Sequence, residues 1–235
     1  MGDYGVVSGS LARHNALRRE LRSAIGAPTG FRCSTTLDGS PEALRLTRLA
    51  VELAQHGDEE ALRYLYVRYS HNIYGYVRSI VHDDHEAEDI TQHVFTKLIT
   101  TIGKYSDRGV PFLAWLLRLA RNVAIDYLRA NRATPVERVF GDGDEPELQE
   151  ELEDAMTVRE VLATLPSDQR EVVFLRHVVG LSPGEIAGVI GKTEGSVHGL
   201  HHRGRRSLQR ELTRRSLVPS ATSRRAGKSR ELAAA

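Results

Sequence analysis

Leu181-Ser182-Pro183-Gly184-Glu185-Ile186-Ala187-Gly188-Val189-Ile190-Gly191-Lys192-Thr193-Glu194-Gly195-Ser196-Val197-His198-Gly199-Leu200-His201-His202-Arg203-Gly204-Arg205-Arg206-Ser207-Leu208 predicts two helices joined at Gly191. Ser182 is placed to N-cap the first, Pro183 suits its first turn, and Glu185 completes a Ser-x-x-Glu capping box. Thr193 is placed to cap the second. A helix, a tight turn and a helix rich in Arg and His is the arrangement that sets the second helix into a DNA major groove.

Helical geometry sorts the second helix into two faces. At about 100° per residue, Val197, Leu200, His201, Gly204 and Leu208 cluster on one side, suited to packing against Ile186, Val189 and Ile190. Gly204 would let two helices approach closely. Gly199, His202, Arg203 and Arg206 fall on the other side, where the side chains offer donors to phosphates and base edges. Between Lys192 and Arg215 the chain carries seven Lys or Arg against two acids, Glu194 and Glu211. A solvated, idle helix face is the bland reading, but capping, turn and charge agree against it.

Composition narrows the field. The chain has 235 residues and 40% hydrophobic content, enough for one or two domains with packed cores. Its one cysteine, Cys33, excludes an internal disulfide and a Cys-based zinc site, which fits a reducing cytoplasm. A redox-sensor role for Cys33 is outweighed by that of a spectator thiol. No apolar run approaches the roughly 20 residues that span a bilayer, and no signal-peptide core is present, so no membrane insertion is expected. Net charge is only +1, but the charge is segregated along the chain.

The predicted organisation is all-α: two small helical bundles joined by an acidic flexible linker, the second bundle holding the helix-turn-helix. Residues 1–44 read as a disordered leader rich in Gly, Ser, Thr and Arg, with a short helix near Leu11–Ile25 as an option. Residues 45–132 repeat apolar positions at helical spacing. Residues 133–154 hold nine acids and one base, Arg138, with two glycines and two prolines, the composition of a linker. Periodicity returns over 155–213, and 214–235 form a basic, frayed tail.

Within the first bundle, Glu59–Arg78 is amphipathic. In Asp84–Ile102, Ala87, Ile90, Val94, Leu98 and Ile102 share one face, opposite Glu88, Gln92 and Thr96, with Asp89 and Phe95 on the flanks. Such a polar face is usually just solvated. An exposed Phe95 beside Gln92 and acids instead suggests a docking surface. Pro111 then opens a long helix whose buried stripe is Phe112, Leu116, Leu119, Val123 and Tyr127. Trp115 reads as core rather than as a base-stacking platform. Arg118, Arg121, Asn122, Arg129 and Arg132, behind a loop holding Arg108 and Gly109, form a plausible platform for single-stranded DNA.

Four blocks together carry a resemblance: Ala87-Glu88-Asp89-Ile90-Thr91-Gln92-His93-Val94-Phe95; Phe112-Leu113-Ala114-Trp115-Leu116 with Ala120-Arg121-Asn122 and Asp126-Tyr127-Leu128-Arg129; Leu165-Pro166 with Gln169-Arg170-Glu171-Val172; and the helix-turn-helix. In order and spacing they resemble the extracytoplasmic-function (ECF) group of bacterial RNA polymerase sigma factors, of the sigma-70 family, over roughly residues 48–212. The resemblance implies that the helix of Glu88, Asp89, Gln92 and Phe95 docks on the clamp helices of the largest polymerase subunit. It implies that the loop with Arg108 and the helix with Arg118, Arg121, Asn122 and Arg129 melt and read the promoter −10 element. The −35 contacts would fall on Ser196, His198, Gly199, His202 and Arg203, with Arg206 beside them, and the second bundle would meet the flap region. The acidic linker would thread the RNA exit, and an anti-sigma factor is an expected partner. The chain departs from the family at His198, where Lys or Arg is usual, at Gly199, where Ser is usual, and in its long leader, whose length also admits a true start further downstream.

The implied function is a promoter-specificity subunit that acts by binding, with no catalytic residue, cofactor or metal. A stand-alone helix-turn-helix regulator is the competing reading, and it predicts a palindromic site bound without polymerase. A metal-dependent nuclease using His198, His201 and His202 with His82 and His85 is weaker still, because His201 leaves the face that His198 and His202 share, and no acid sits beside them.

Overall fold

In the computed structural model, residues 14–23, 39–107, 109–132 and 161–216 are described. Among them every regular element is helical: residues 14–23 (α1), Pro41–Gln55 (α2), Glu59–Val81 (α3), Asp84–Thr101 (α4), a 3₁₀ turn Ile102–Lys104, Phe112–Arg132 (α5), residues 161–163 (α6), Ser167–His177 (α7), Pro183–Ile190 (α8) and Glu194–Ser216 (α9). The linker expected over 133–154 lies outside the described residues, as do Cys33 and positions 217–235.

Local signals set the boundaries. Side-chain oxygens of Ser40, Asp58 and Asp83 accept the Ala43, Ala61 and Glu86 amides, satisfying donors that a helix start leaves unpaired. Ser40 and Pro41 start α2 four residues ahead of the expected module boundary at residue 45. The second module behaves as predicted: Ser182 and Glu185 form both bonds of a capping box, and Gly191 closes α8 in the left-handed region at φ 67°. α9 is 23 residues long and packs against both α7 and α8.

The leader contributes a packed element. Leu21 of α1 is 1% exposed, and Leu17 lies against the same core. Arg18 pairs with Asp58, Arg22 with Glu60, and Glu20 with Arg45, so α1 is stapled to α2 and α3. The periodic Leu17 and Leu21 carried this signal. Arg18 is 40% exposed, so its pairing is partly screened by water. Its partner Asp58 is 1% exposed, so Arg18→Ala also takes a partner from a buried carboxylate and is expected to cost about 1–3 kcal/mol. Thermal unfolding of full-length protein checks this, and no change in midpoint would show that the Arg18–Asp58 pair adds nothing to the fold.

Two bundles form, and they pack against each other. α2, α3, α4 and α5 surround Leu53, Leu65, Ile73, Tyr76 and Leu116; α7, α8 and α9 surround Leu175, Ile186 and Val197. α7 also lies on α3, and α8 lies on α5. The buried face of α5 is shifted from the predicted stripe: Leu119 and Tyr127 are only half-buried, whereas Leu117, Ala120 and Ala124 are all at 0% exposure.

Candidate nucleic-acid and polymerase-docking surfaces

On α9, Val197 and Leu200 are buried and His201 is half-buried, so the opposite side faces water. Ser196, His198, His202, Arg203 and Arg206 are exposed there, with Gly199 half-buried among them. The Thr193 hydroxyl accepts the Ser196 amide at 3.3 Å and bonds the Ser196 hydroxyl at 2.9 Å, fixing the helix start. Arg203 lies back over Gly199, where a methyl group would stand 3.4 Å from its Nη1. Lys192, Thr193, Ser196, Gly199 and Arg203 line one open groove, with Asp168 at its wall. Lys192 Nζ is 2.9 Å from Asp168, so this carboxylate holds the turn lysine beside the helix start. A second groove, lined by His202, Arg203, Arg206, Ser207 and Arg210, continues along α9. The helix thus presents guanidinium donors along a strip of the kind that phosphates and base edges take.

Three of the five histidines considered for a metal site, His201, His198 and His82, have other neighbours. His201 Nε2 lies 2.9 Å from His177 Nε2, with the rings stacked at 5.1 Å. Burial, then the neighbouring His177 and Arg176, push the His201 pKa below its ordinary value. His198 lies 3.8 Å from Glu194, and His82 receives a hydrogen bond from Arg170 Nη1 at 2.8 Å. No group of three or more His, Cys, Asp or Glu side chains converges as a metal site among the described residues.

On α4, Glu88, Asp89 and Gln92 are exposed on one face, as predicted. Phe95 is not. It is 7% exposed, because Tyr66 of α3 covers it edge-on at 4.8 Å. The aromatic that this surface offers is Tyr66, 46% exposed, with Ile99 at 59% further along α4. The expectation of an exposed Phe95 is corrected on this ground. A helical wheel cannot see that a neighbouring helix lies over one flank.

The loop and α5 divide the remaining candidates. Arg108 lies outside the described residues. Arg118 and Asn122 are exposed; Arg129 is exposed too, 3.9 Å from Asp126. Arg121 is half-buried, and its Nε donates to Glu171 Oε1 of α7 at 2.8 Å. Burial opposes the Arg121 charge, but the hydrogen bond and the charge of Glu171 outweigh it and raise the pKa. Trp115 is half-buried in a cluster with Tyr105 and Phe112, at 5.4 and 5.8 Å between ring centroids. The Tyr105 hydroxyl donates to the Val110 carbonyl at 3.0 Å, tying the loop closed. Burial, reinforced by Asp107, pushes the Tyr105 phenol up to about 12, so it remains a donor at neutral pH. Lys192, Tyr105 and Glu171 were absent from the candidate residues. Lys192 had a signal, as the only cation in the turn, whereas Glu171 acts through a partner 50 positions away.

Comparison with known proteins places these surfaces in a family. The family model described as Sigma-70 region 2 matches residues 65–134, and that described as Sigma-70, region 4 matches residues 155–208. The chain is 34% identical over 192 residues to the ECF RNA polymerase sigma factor SigD of Mycobacterium tuberculosis, covering 75% of this chain and 90% of SigD. It is 34% identical over 174 residues to the ECF RNA polymerase sigma factor BldN of Streptomyces coelicolor, covering 69% of this chain and 64% of that longer protein. Among solved structures, CnrH in complex with the cytosolic domain of CnrY is similar at TM-score 0.55 and 27% identity, over 71% of this chain and 97% of that one. With both regions matched in order around the helices described above, the chain belongs to the ECF group of the sigma-70 family of RNA polymerase sigma factors, subunits of promoter recognition and transcription initiation.

Proposed function

We propose that this chain binds core RNA polymerase through Glu88, Asp89 and Gln92 of α4, then holds a −10 strand on α5 and reads a −35 duplex with α9. The observation that carries this reading is the outer face of α9. Ser196, His202, Arg203 and Arg206 stand exposed there, while Val197 and Leu200 anchor the opposite side. Phe95 serves the docking surface from beneath, by seating Tyr66. In the −10 site, Arg118 and Asn122 are exposed, Arg121 is the buried-edge cation, and Arg129 and Arg108 flank them in sequence. The −35 set is Ser196, His198, Gly199, His202, Arg203 and Arg206, with Lys192 added from the structure.

The action is binding without covalent chemistry. No described helix is long and apolar enough to cross a membrane, and the working compartment proposed is the cytoplasm, where polymerase and promoter are. An anti-sigma factor is a further partner expected from the family.

Run-off transcription with core polymerase plus the full chain tests the reading, and initiation from a defined start site is expected. The double variant Asp89→Ala/Gln92→Ala is expected to weaken co-elution with core at least about tenfold, which corresponds to about 1.4 kcal/mol. Its helix should persist, because both side chains are exposed. Unchanged co-elution would move the docking surface elsewhere.

A further inference from the structure

α2 ends beside the loop that leads into α5. Gln55 is the last residue of α2, and its side-chain Nε2 donates to two backbone carbonyls, Ile102 at 3.1 Å and Tyr105 at 2.8 Å. Both carbonyls lie at the 3₁₀ turn that follows α4, where the helical ladder runs out and leaves acceptors without helical partners. The Ile102 carbonyl also accepts the Tyr105 amide at 3.0 Å. One side chain, 47 and 50 positions upstream, therefore fixes the direction in which the chain leaves α4.

Tyr105 carries that constraint into the loop. Its carbonyl is held by Gln55, its ring lies edge-on to Phe112 at 5.3 Å, and its hydroxyl donates to the Val110 carbonyl at 3.0 Å. Gly109, at φ 82°, makes the turn between them. Arg48, about two turns earlier on α2, lies 3.4 Å from Asp107, but both side chains are well exposed and water screens the pair. The Gln55 fork is the firmer tie. Its own base is firm too: Leu49, Ala50 and Leu53 of α2 are buried, and the Thr47 hydroxyl bonds that of Tyr69 on α3 at 3.0 Å. α2 lies ahead of residues 65–134, the part that matches the region 2 model.

We infer that Gln55 is a positioning residue for promoter opening: it holds the loop ahead of α5 in one arrangement, and so speeds the capture of −10 bases as they leave the duplex. This rests on the reading of that loop and α5 as the −10 site, and adds what prepares it. An extruded base stays out only if a receiving surface is already in place. A loop that orders itself at that moment adds its conformational entropy to the barrier, whereas one ordered during folding does not. Two carbonyl acceptors need an N–H donor, and the amide of glutamine supplies it.

The test uses holoenzyme carrying the full chain, and a promoter mapped by run-off transcription. The promoter is prepared as a duplex, and again with its −10 region held open by mismatches. Gln55→Glu keeps the shape but turns an acceptor towards both carbonyls, and Gln55→Ala removes the amide. Gln55 is exposed, so both variants are expected to fold. Duplex opening, read by permanganate reactivity of thymines near the start site, is expected to slow at least about fivefold in each, in line with the loss of two hydrogen bonds. At saturating holoenzyme, initiation from the pre-opened template is expected to match the parent, because no base has to be caught as it leaves. Parent-like opening of the duplex overturns the inference. So do equal losses on both templates, which would make Gln55 a structural residue only. Arg118→Ala/Asn122→Ala separates the inference from the reading beneath it. Slower opening in that variant, with parent-like Gln55 variants, overturns the positioning role alone. Parent-like opening in all three removes the −10 assignment as well.

Discussion

Alanine at Gly204 is expected to lower the unfolding free energy by about 1–3 kcal/mol, even though alanine is the better helix former. Gly204 lies where α9 crosses α7. A methyl group there would stand 2.8 Å from Val173 Cγ2 and 3.2 Å from the Gln169 carbonyl oxygen. The first distance is shorter than carbon atoms tolerate, and neither neighbour can give way cheaply. Val173 is 4% exposed and β-branched, so its rotamer is fixed by the helix that carries it. The Gln169 carbonyl is backbone of α7, and shifting it disturbs Glu171 and Phe174 two and five positions on. Helix propensity returns at most about 1 kcal/mol. Overpacking therefore wins. Valine, with two further methyl groups, is expected to cost more than alanine.

Gly188 supplies the control. It is also helical, but nothing lies within 4 Å of a methyl group built there. Gly188→Ala is expected to gain about 0.5–1 kcal/mol from propensity alone. Urea unfolding of the two variants gives opposite signs if the α7–α9 crossing is as tight as described. A Gly204→Ala midpoint at or above that of Gly188→Ala would contradict it.

The helix starts were legible because the chemistry that makes them is local. Ser182, Glu185 and Thr193 act on amides two or three residues away, so a reader of sequence sees both ends of each bond. Gly204 was legible as a close-approach residue because a glycine on an apolar helical stripe has few other uses. The misses share another cause. Phe95 stood on the flank of a helical face, and the burial of a flank depends on which helix comes alongside; here it is Tyr66 from α3. The buried side of α5 was placed only in part, because α3, α4 and α8 all pack on that helix from different parts of the chain. The Ser40–Pro41 start and the Leu17–Leu21 pair did carry signals, and a Gly- and Ser-rich composition obscured them. The exposed donors of α9 were found because periodicity sorts a single helix correctly when one side is anchored by Val197 and Leu200. The Arg121–Glu171 pair was beyond such sorting, since it depends on how two bundles meet.

Arg203→Ala is expected to weaken binding of the holoenzyme to its −35 duplex by about 1–3 kcal/mol, if the guanidinium makes a bidentate contact to a base. Arg203 is exposed, borders both grooves of α9 and has room to extend because position 199 lacks a side chain. Its neighbour Arg206 lies nearly a full turn on, where the strip continues along the helix, as a backbone contact would. The two roles separate by what each loss depends on. A base contact discriminates, so Arg203→Ala should hurt binding to the native −35 sequence and leave binding to a scrambled one nearly unchanged. A phosphate contact weakens both equally and lowers the salt dependence by about one counterion. Arg206→Ala is expected to show that second pattern. Titrating holoenzyme against native and scrambled duplexes at two salt concentrations distinguishes them. Equal losses on both sequences for Arg203→Ala would reduce it to a phosphate contact and shift base reading to His202, next to it in the chain, and Ser196, about two turns nearer the helix start.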